Sequence, residues 1–124
     1  MRYAVNTGKL APAGWHVPTD AEWTTLTTHL GGESVAGDKM KSTTLWTPHA
    51  GITNTNTSGF AGLPAGYRYY NGTFDVIGYY GIFWSSTENF TNNAWYRSLS
   101  YSSSDAYRNN YNKAYGYSVR CVRD

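Results

Sequence analysis

Helix signals in this chain all lie before Ser42, and from Gly66 onward the sequence reads as strands and turns. That division predicts an α+β fold, with helices in the first half and an irregular antiparallel sheet in the second. Thr19-Asp20-Ala21-Glu22 is a capping box: the Thr19 hydroxyl can take the N–H of Glu22, and the Glu22 carboxylate can reach back to Thr19. Trp23, Leu26 and Leu30 follow at helical spacing, and Gly31-Gly32 stops the run. A helix over Asp20–Leu30 follows. A second is expected over Ser34–Lys41, with Val35, Ala36 and Met40 inward. Ser42–Gly59, rich in Thr, Asn, Ser and Pro, is expected to be a long loop.

In the second half, Asn71-Gly72 marks a hairpin between Tyr67–Tyr70 and Thr73–Ile77. Ile82–Ser86 reads as a buried strand. Ala94–Tyr101 alternates, with Trp95, Arg97, Leu99 and Tyr101 on one face and Tyr96, Ser98 and Ser100 on the other. Ala106–Asn109 is a short strand candidate. Tyr117–Arg123 is the last strand, and Tyr3-Ala4-Val5 is placed to pair with it and join the termini. The length of 124 residues suits one domain, 1–124.

Composition enters when one asks what fills the core. Leu, Ile, Val and Phe together fall below the roughly 20% at which disorder is suspected, yet the net charge is only +2 and aromatics reach 17%. The rings, 12 Tyr, 5 Trp and 4 Phe, must therefore supply much of the apolar surface. No apolar run is long enough to span a bilayer, and no apolar targeting segment follows Met1. Scattered Lys and Arg make no nucleic-acid footprint.

Catalytic signals are thin. His16, His29 and His49 lack metal-ligand spacing, and one cysteine, Cys121, excludes a disulfide framework and a cysteine zinc site. Ser85-Ser86-Thr87-Glu88 has no glycine elbow, and the carboxylates are isolated. The chain is expected not to be an enzyme. Binding is better supported. Ser, Asn and Tyr make up more than half of Ser85–Ser118, the composition of an antibody-like paratope, in which Tyr supplies contact area and Ser and Asn adaptable hydrogen bonds. Arg97 and Arg108 are candidate charged anchors. The same residue set is what adenine-directed mutagenesis of AAC and AAT codons leaves, because it yields Asn, Tyr, Ser and Asp without stop codons.

Six motifs occur in order: GWHVPTDAEW (Gly14–Trp23), AGDKMKS (Ala36–Ser42), GFAGLPAGYR (Gly59–Arg68), GIFWSSTE (Gly81–Glu88), AWYRSL (Ala94–Leu99) and YGYSVRCVRD (Tyr115–Asp124). Together they resemble the Fibrobacter succinogenes major paralogous domain, found in secreted and surface proteins of gut and rumen bacteria. The resemblance implies a C-type lectin-like fold of the formylglycine-generating-enzyme type, similar to the variable proteins of diversity-generating retroelements. It implies a scaffold that includes Trp84, Trp95, Leu99, Val119, Cys121 and Val122. It also implies a ligand-binding display face of Asn92, Asn93, Tyr96, Ser98, Ser100, Tyr101, Ser102, Ser103, Ser104, Asp105, Tyr107, Asn109, Asn110, Tyr111 and Asn112. The partner implied is a protein or glycan, and the location extracellular, on a cell surface or a phage particle. The alternative is a structural surface or adhesin module with no diversified site. No cofactor is expected: the cysteine set of copper-dependent formylglycine enzymes is absent, as are the Glu-Pro-Asn, Gln-Pro-Asp and Trp-Asn-Asp strings of calcium-dependent lectins.

Overall fold

A computed structural model describes residues 2–124. The elements run α1 (Tyr3–Asn6), β1 (Trp15–His16), α2 (Asp20–His29), α3 (Glu33–Met40), β2 (Tyr67–Arg68), β3 (Phe74–Asp75), β4 (Tyr80–Asn89), β5 (Asn93–Ser100), β6 (Ala106–Asn112) and β7 (Val122–Arg123). The fold is α+β, with three short helices and antiparallel strand ladders mostly in the second half. The Ser42–Gly59 segment contains no helix or strand, as expected.

The expected capping box forms at α2. Glu22 N–H donates to Thr19 Oγ1 at 3.2 Å, and Thr19 N–H donates to Glu22 Oε2 at 2.8 Å. Trp23 is buried, and Leu26 and Leu30 pack at the margin of the same cluster. In α3 the inward stripe is Ala36, Gly37 and Met40. Val35, expected inward, is 41% exposed, because it lies about 100° around the helix from Ala36. Gly37 lets α3 approach the β5–β6 connection: a Cβ there would lie 2.1 Å from the Asp105 carbonyl oxygen.

The central sheet has the order β4-β5-β6. Two clusters sandwich it. On the inner face Trp23, Ala36, Met40, Trp46, Phe83, Leu99 and Ala106 pack beneath α2 and α3. On the outer face Val5, Val17, Trp84 and Ala94 are joined by Tyr96, Tyr115, Tyr117, Val119 and Cys121. Aromatic rings thus do much of the packing on both sides, as the shortage of aliphatics requires.

Three strand expectations change. Tyr3-Ala4-Val5 is a helical turn rather than a strand. The Arg2 guanidinium donates to the Ser85 carbonyl at 2.9 Å and lies 6.0 Å from the Trp84 ring; a helical turn from that anchor brings Val5 inward. The seam near the termini is instead β1 with β7, pairing Trp15 with Arg123 and His16 with Val122. The last strand is shorter than expected, with Tyr117 and Ser118 running alongside β4 by single contacts such as Trp84 N–H to Ser118 C=O at 3.0 Å. By contrast β6 continues through Asn112. Residues of poor strand propensity are held there by pairing with β5 from Asn93 to Leu99, and cross-strand context overrides propensity.

Candidate functional site

Alternation along β5 and β6 sorts the expected display residues. Ala94 pairs with Tyr111, Tyr96 with Asn109 and Ser98 with Tyr107, so Tyr96, Ser98, Tyr107, Asn109 and Tyr111 share the outer face. Tyr107 and Tyr111 are 48% and 46% exposed. Asn109 Nδ2 donates to the Tyr107 hydroxyl at 3.0 Å. Ser98 is buried between its neighbours. Tyr96 is half-buried, edge-on to Trp84 at 6.2 Å and to Tyr117 at 5.3 Å. Burial, and then the nearby Tyr107 and Tyr111, push its phenol pKa up, so it remains a neutral hydrogen-bonding group.

The remaining expected residues lie elsewhere. Asn93, Asn110 and Asn112 occupy the alternate register on the opposite face, where Asn93 Nδ2 donates to Asn110 Oδ1 at 3.1 Å. Asn92 lies in the β4–β5 turn, and its carbonyl accepts the Lys113 N–H at 2.8 Å. Ser100 closes β5, and Tyr101 to Asp105 form the β5–β6 connection, which is fastened to α3. The buried Lys41 Nζ donates to the carbonyls of Ser100 at 2.8 Å and Ser103 at 2.7 Å. Ser104 Oγ donates to Asp38 Oδ2 at 2.7 Å, and Ser103 Oγ to Asp105 Oδ1. The Ser100 and Ser102 hydroxyls lie 3.1 Å apart. Tyr101 stacks edge-on against Tyr79 at 5.0 Å and His49 at 5.5 Å.

The two candidate anchors belong to the scaffold. Arg97 is buried on the inner face, with Nη1 2.6 Å from Asp20 Oδ1 and Nη2 donating to Thr24 Oγ1 at 3.0 Å. Arg108 Nη2 donates to Asp20 Oδ2 at 2.8 Å, and its guanidinium lies 3.6 Å from the Trp95 ring centre. Burial alone would raise the Asp20 carboxyl, but hydrogen bonds from Arg108 and Arg97 outweigh it and hold the pKa below the usual carboxylate range. Asp20 opens α2, where a negative charge also suits the helix N-terminus. The cluster locks α2 onto β5 and β6.

Five further tyrosines, outside the expected display set, adjoin the site. Tyr67, Tyr69 and Tyr70 of the β2–β3 hairpin meet Tyr115 and Tyr117 of the C-terminal segment. Ring centres are 5.6 Å apart for Tyr69–Tyr115 and 6.2 Å for Tyr67–Tyr117. Tyr115 then touches Tyr111 of β6 at 4.9 Å, so the ring network runs from the hairpin onto the display face. Tyr67 donates to the Tyr69 hydroxyl at 2.9 Å, which with burial raises its own pKa. The signal was the i, i+2 spacing of Tyr67/Tyr69 and Tyr115/Tyr117, which places each pair on one face of extended chain.

The weak catalytic candidates stay apart. Ser85 is buried, and its Oγ accepts the Thr87 N–H at 3.2 Å. His16 is held between Asp124 at 2.6 Å and Glu22 at 2.8 Å. Cys121 is half-buried against the outer cluster. Among the described residues no group of His, Cys, Asp and Glu has the arrangement of a metal site, and no helix is long and apolar enough to cross a membrane.

The family model of the Fibrobacter succinogenes major domain matches residues 1–123. No curated protein and no solved structure matches the chain. The ordered motifs from Gly14 to Asp124 and the match along nearly the whole chain agree: this chain belongs to the Fibrobacter succinogenes major domain family.

Proposed function

We propose that this domain is a non-enzymatic ligand-binding module with a C-type lectin-like scaffold, exposed outside the cell or on a phage particle. Its outer sheet face is the binding surface, a variable display surface of the kind diversified by retroelements. The observation that carries this reading is the row of Tyr107, Asn109 and Tyr111 on one face of β6. These side chains reach solvent and rest on a scaffold whose buried contacts come from Trp84, Leu99 and the Asp20–Arg97 pair. Tyr rings supply contact area at low entropic cost, and Asn supplies donors and acceptors that suit many partners.

The test is a screen of the purified domain against cell-surface proteins and glycans, repeated with Tyr107→Ala and Asn109→Ala. The reading expects a partner whose affinity falls about tenfold or more in at least one variant, with unchanged thermal unfolding. A partner bound equally well by both variants contradicts it. Diversification has its own test in the genome: a near-repeat of the 3′ coding region that differs at adenines, with a neighbouring reverse transcriptase gene. Their absence removes the variable part of the proposal.

A further inference from the structure

A cleft of about 460 Å³ lies between the β2–β3 hairpin and the end of β6, lined by Tyr70, Tyr111, Asn112, Ala114 and Tyr115. That volume falls within the range of small-ligand sites. Tyr115 lies between the two other rings: its centre is 4.9 Å from Tyr111 at an interplanar angle of 79°, and 6.1 Å from Tyr70 at 66°. Tyr67, Tyr69 and Tyr117 pack around the same ring, so it is fixed before any ligand arrives and little ordering entropy remains to be lost. Tyr70 is 70% exposed and free to close over an occupant. Asn112 is tied down through Oδ1, which accepts the Ala114 N–H at 2.9 Å. Among the described residues no acceptor pairs with its Nδ2, which leaves two donors beside the rings.

The chemistry of the lining narrows the occupant. The lining contains no Lys, Arg, Asp or Glu. The adjacent Lys113 is turned to Thr91 C=O at 2.8 Å and Glu88 at 2.7 Å. A phosphorylated or strongly charged ligand would find no counter-charge, which argues against a nucleotide despite the stacked rings. Ring faces carry negative quadrupole density and attract the weakly positive C–H faces of a sugar, while phenol hydroxyls and an amide answer its hydroxyls. Burial of Tyr115, together with its hydroxyl neighbour Tyr111, raises the Tyr115 phenol pKa, so its hydroxyl stays a donor across the physiological range.

We infer that this tyrosine cleft is a calcium-independent saccharide subsite that takes one unit of a neutral oligosaccharide, with Tyr115 as the fixed wall and Tyr70 as the movable one. It deepens the display-face reading and rests on it in one respect: Tyr111 belongs to both, so replacing it would tune which sugar is held.

The experiment is binding of the whole chain to an array of neutral hexose and N-acetylhexosamine oligosaccharides in EDTA, followed by titration of the best binder into variants. Tyr70→Ala changes an exposed ring, and Tyr115→Phe keeps the packing but removes the hydroxyl. Tyr107→Ala, outside the cleft, reports on the display face separately. The inference expects neutral glycan binding that survives EDTA and high salt. Affinity should fall about tenfold or more in Tyr70→Ala and measurably in Tyr115→Phe. It is overturned by an array with no neutral binder, or by glycan binding indifferent to Tyr70→Ala. A protein partner lost in Tyr107→Ala, beside a blank array, leaves the display face standing and removes the saccharide subsite. Glycan binding lost in Tyr70→Ala, with no partner sensitive to Tyr107 or Asn109, does the reverse.

Discussion

The two faces of the β4-β5-β6 sheet are made from alternate residues of the same strands, yet their polar groups do different work. On the inner face Arg97 and Arg108 converge on Asp20 beneath α2. Both Asp20 oxygens are engaged there, and Arg97 is almost wholly buried. On the outer face Asn109 bonds to Tyr107, Tyr111 packs on Tyr115, and the Tyr107 and Tyr111 rings stay about half-exposed. A charged group buried with its partner is expensive to orphan, whereas a half-exposed Tyr or Asn can be exchanged with little effect on folding. The difference teaches which part of a Ser-, Asn- and Tyr-rich region is free to vary. It is the outer register of β6, and not the β5–β6 connection, whose carbonyls hold the buried Lys41.

The contrast can be broken most forcefully from the inside. Arg97→Ala leaves Asp20 short of its buried partner and should destabilise the fold by about 3 kcal/mol or more in urea unfolding. Trp84→Ala, beneath the outer tyrosines, should cost about 3–5 kcal/mol. Gly37→Ala pushes a methyl against the Asp105 carbonyl and should cost about 1–3 kcal/mol, with amide shifts confined to α3 and the β5–β6 connection. Tyr107→Ser on the outer face should stay within about 0.5 kcal/mol of the parent. If Tyr107→Ser costs as much as Arg97→Ala, the two faces are not distinct.

Acid and base sharpen the same comparison. The Asp20 carboxyl is held below its ordinary pKa, so its contribution is complete above the usual carboxylate range and is lost only as pH falls through the depressed value. His16 runs the other way. Its hydrogen bonds to Asp124 and then Glu22 raise its pKa, so its contribution is present below the ordinary imidazole pKa and is lost as pH rises through the raised one. Hydrogen exchange should therefore show the β1–β7 seam loosening on the alkaline side of that value, with the Asp124 N–H to Gly14 bond among the first to exchange. The effect is the smallest of the set, because His16 is largely in water. Loosening on the acid side first would contradict it.

Local signals were legible where the physics is local. Thr19 and Glu22 announce α2 within one turn, and alternation from Ala94 to Leu99 gives the correct faces of β5. The role of Arg97 was not legible. Alternation placed it beside Leu99, but the carboxylate that claims it is Asp20, far away in the chain. The strand character of Asn110–Asn112 is hidden in the sequence for a related reason, since it comes from the β5 partner and not from the residues themselves. The tyrosine network is split in the sequence, because the hairpin and the C-terminal segment lie far apart along the chain. Their shared i, i+2 spacing shows which rings share a face, while only tertiary packing brings those faces together.

The central claim is that the outer face is separable from the scaffold. It is tested most directly by replacing Tyr107, Asn109 and Tyr111 together with Ser and measuring the urea midpoint and partner binding on the same protein. The account predicts a cooperative transition within about 1 kcal/mol of the parent and loss of the partner. An unfolded or strongly destabilised variant, or one that binds as before, would contradict it.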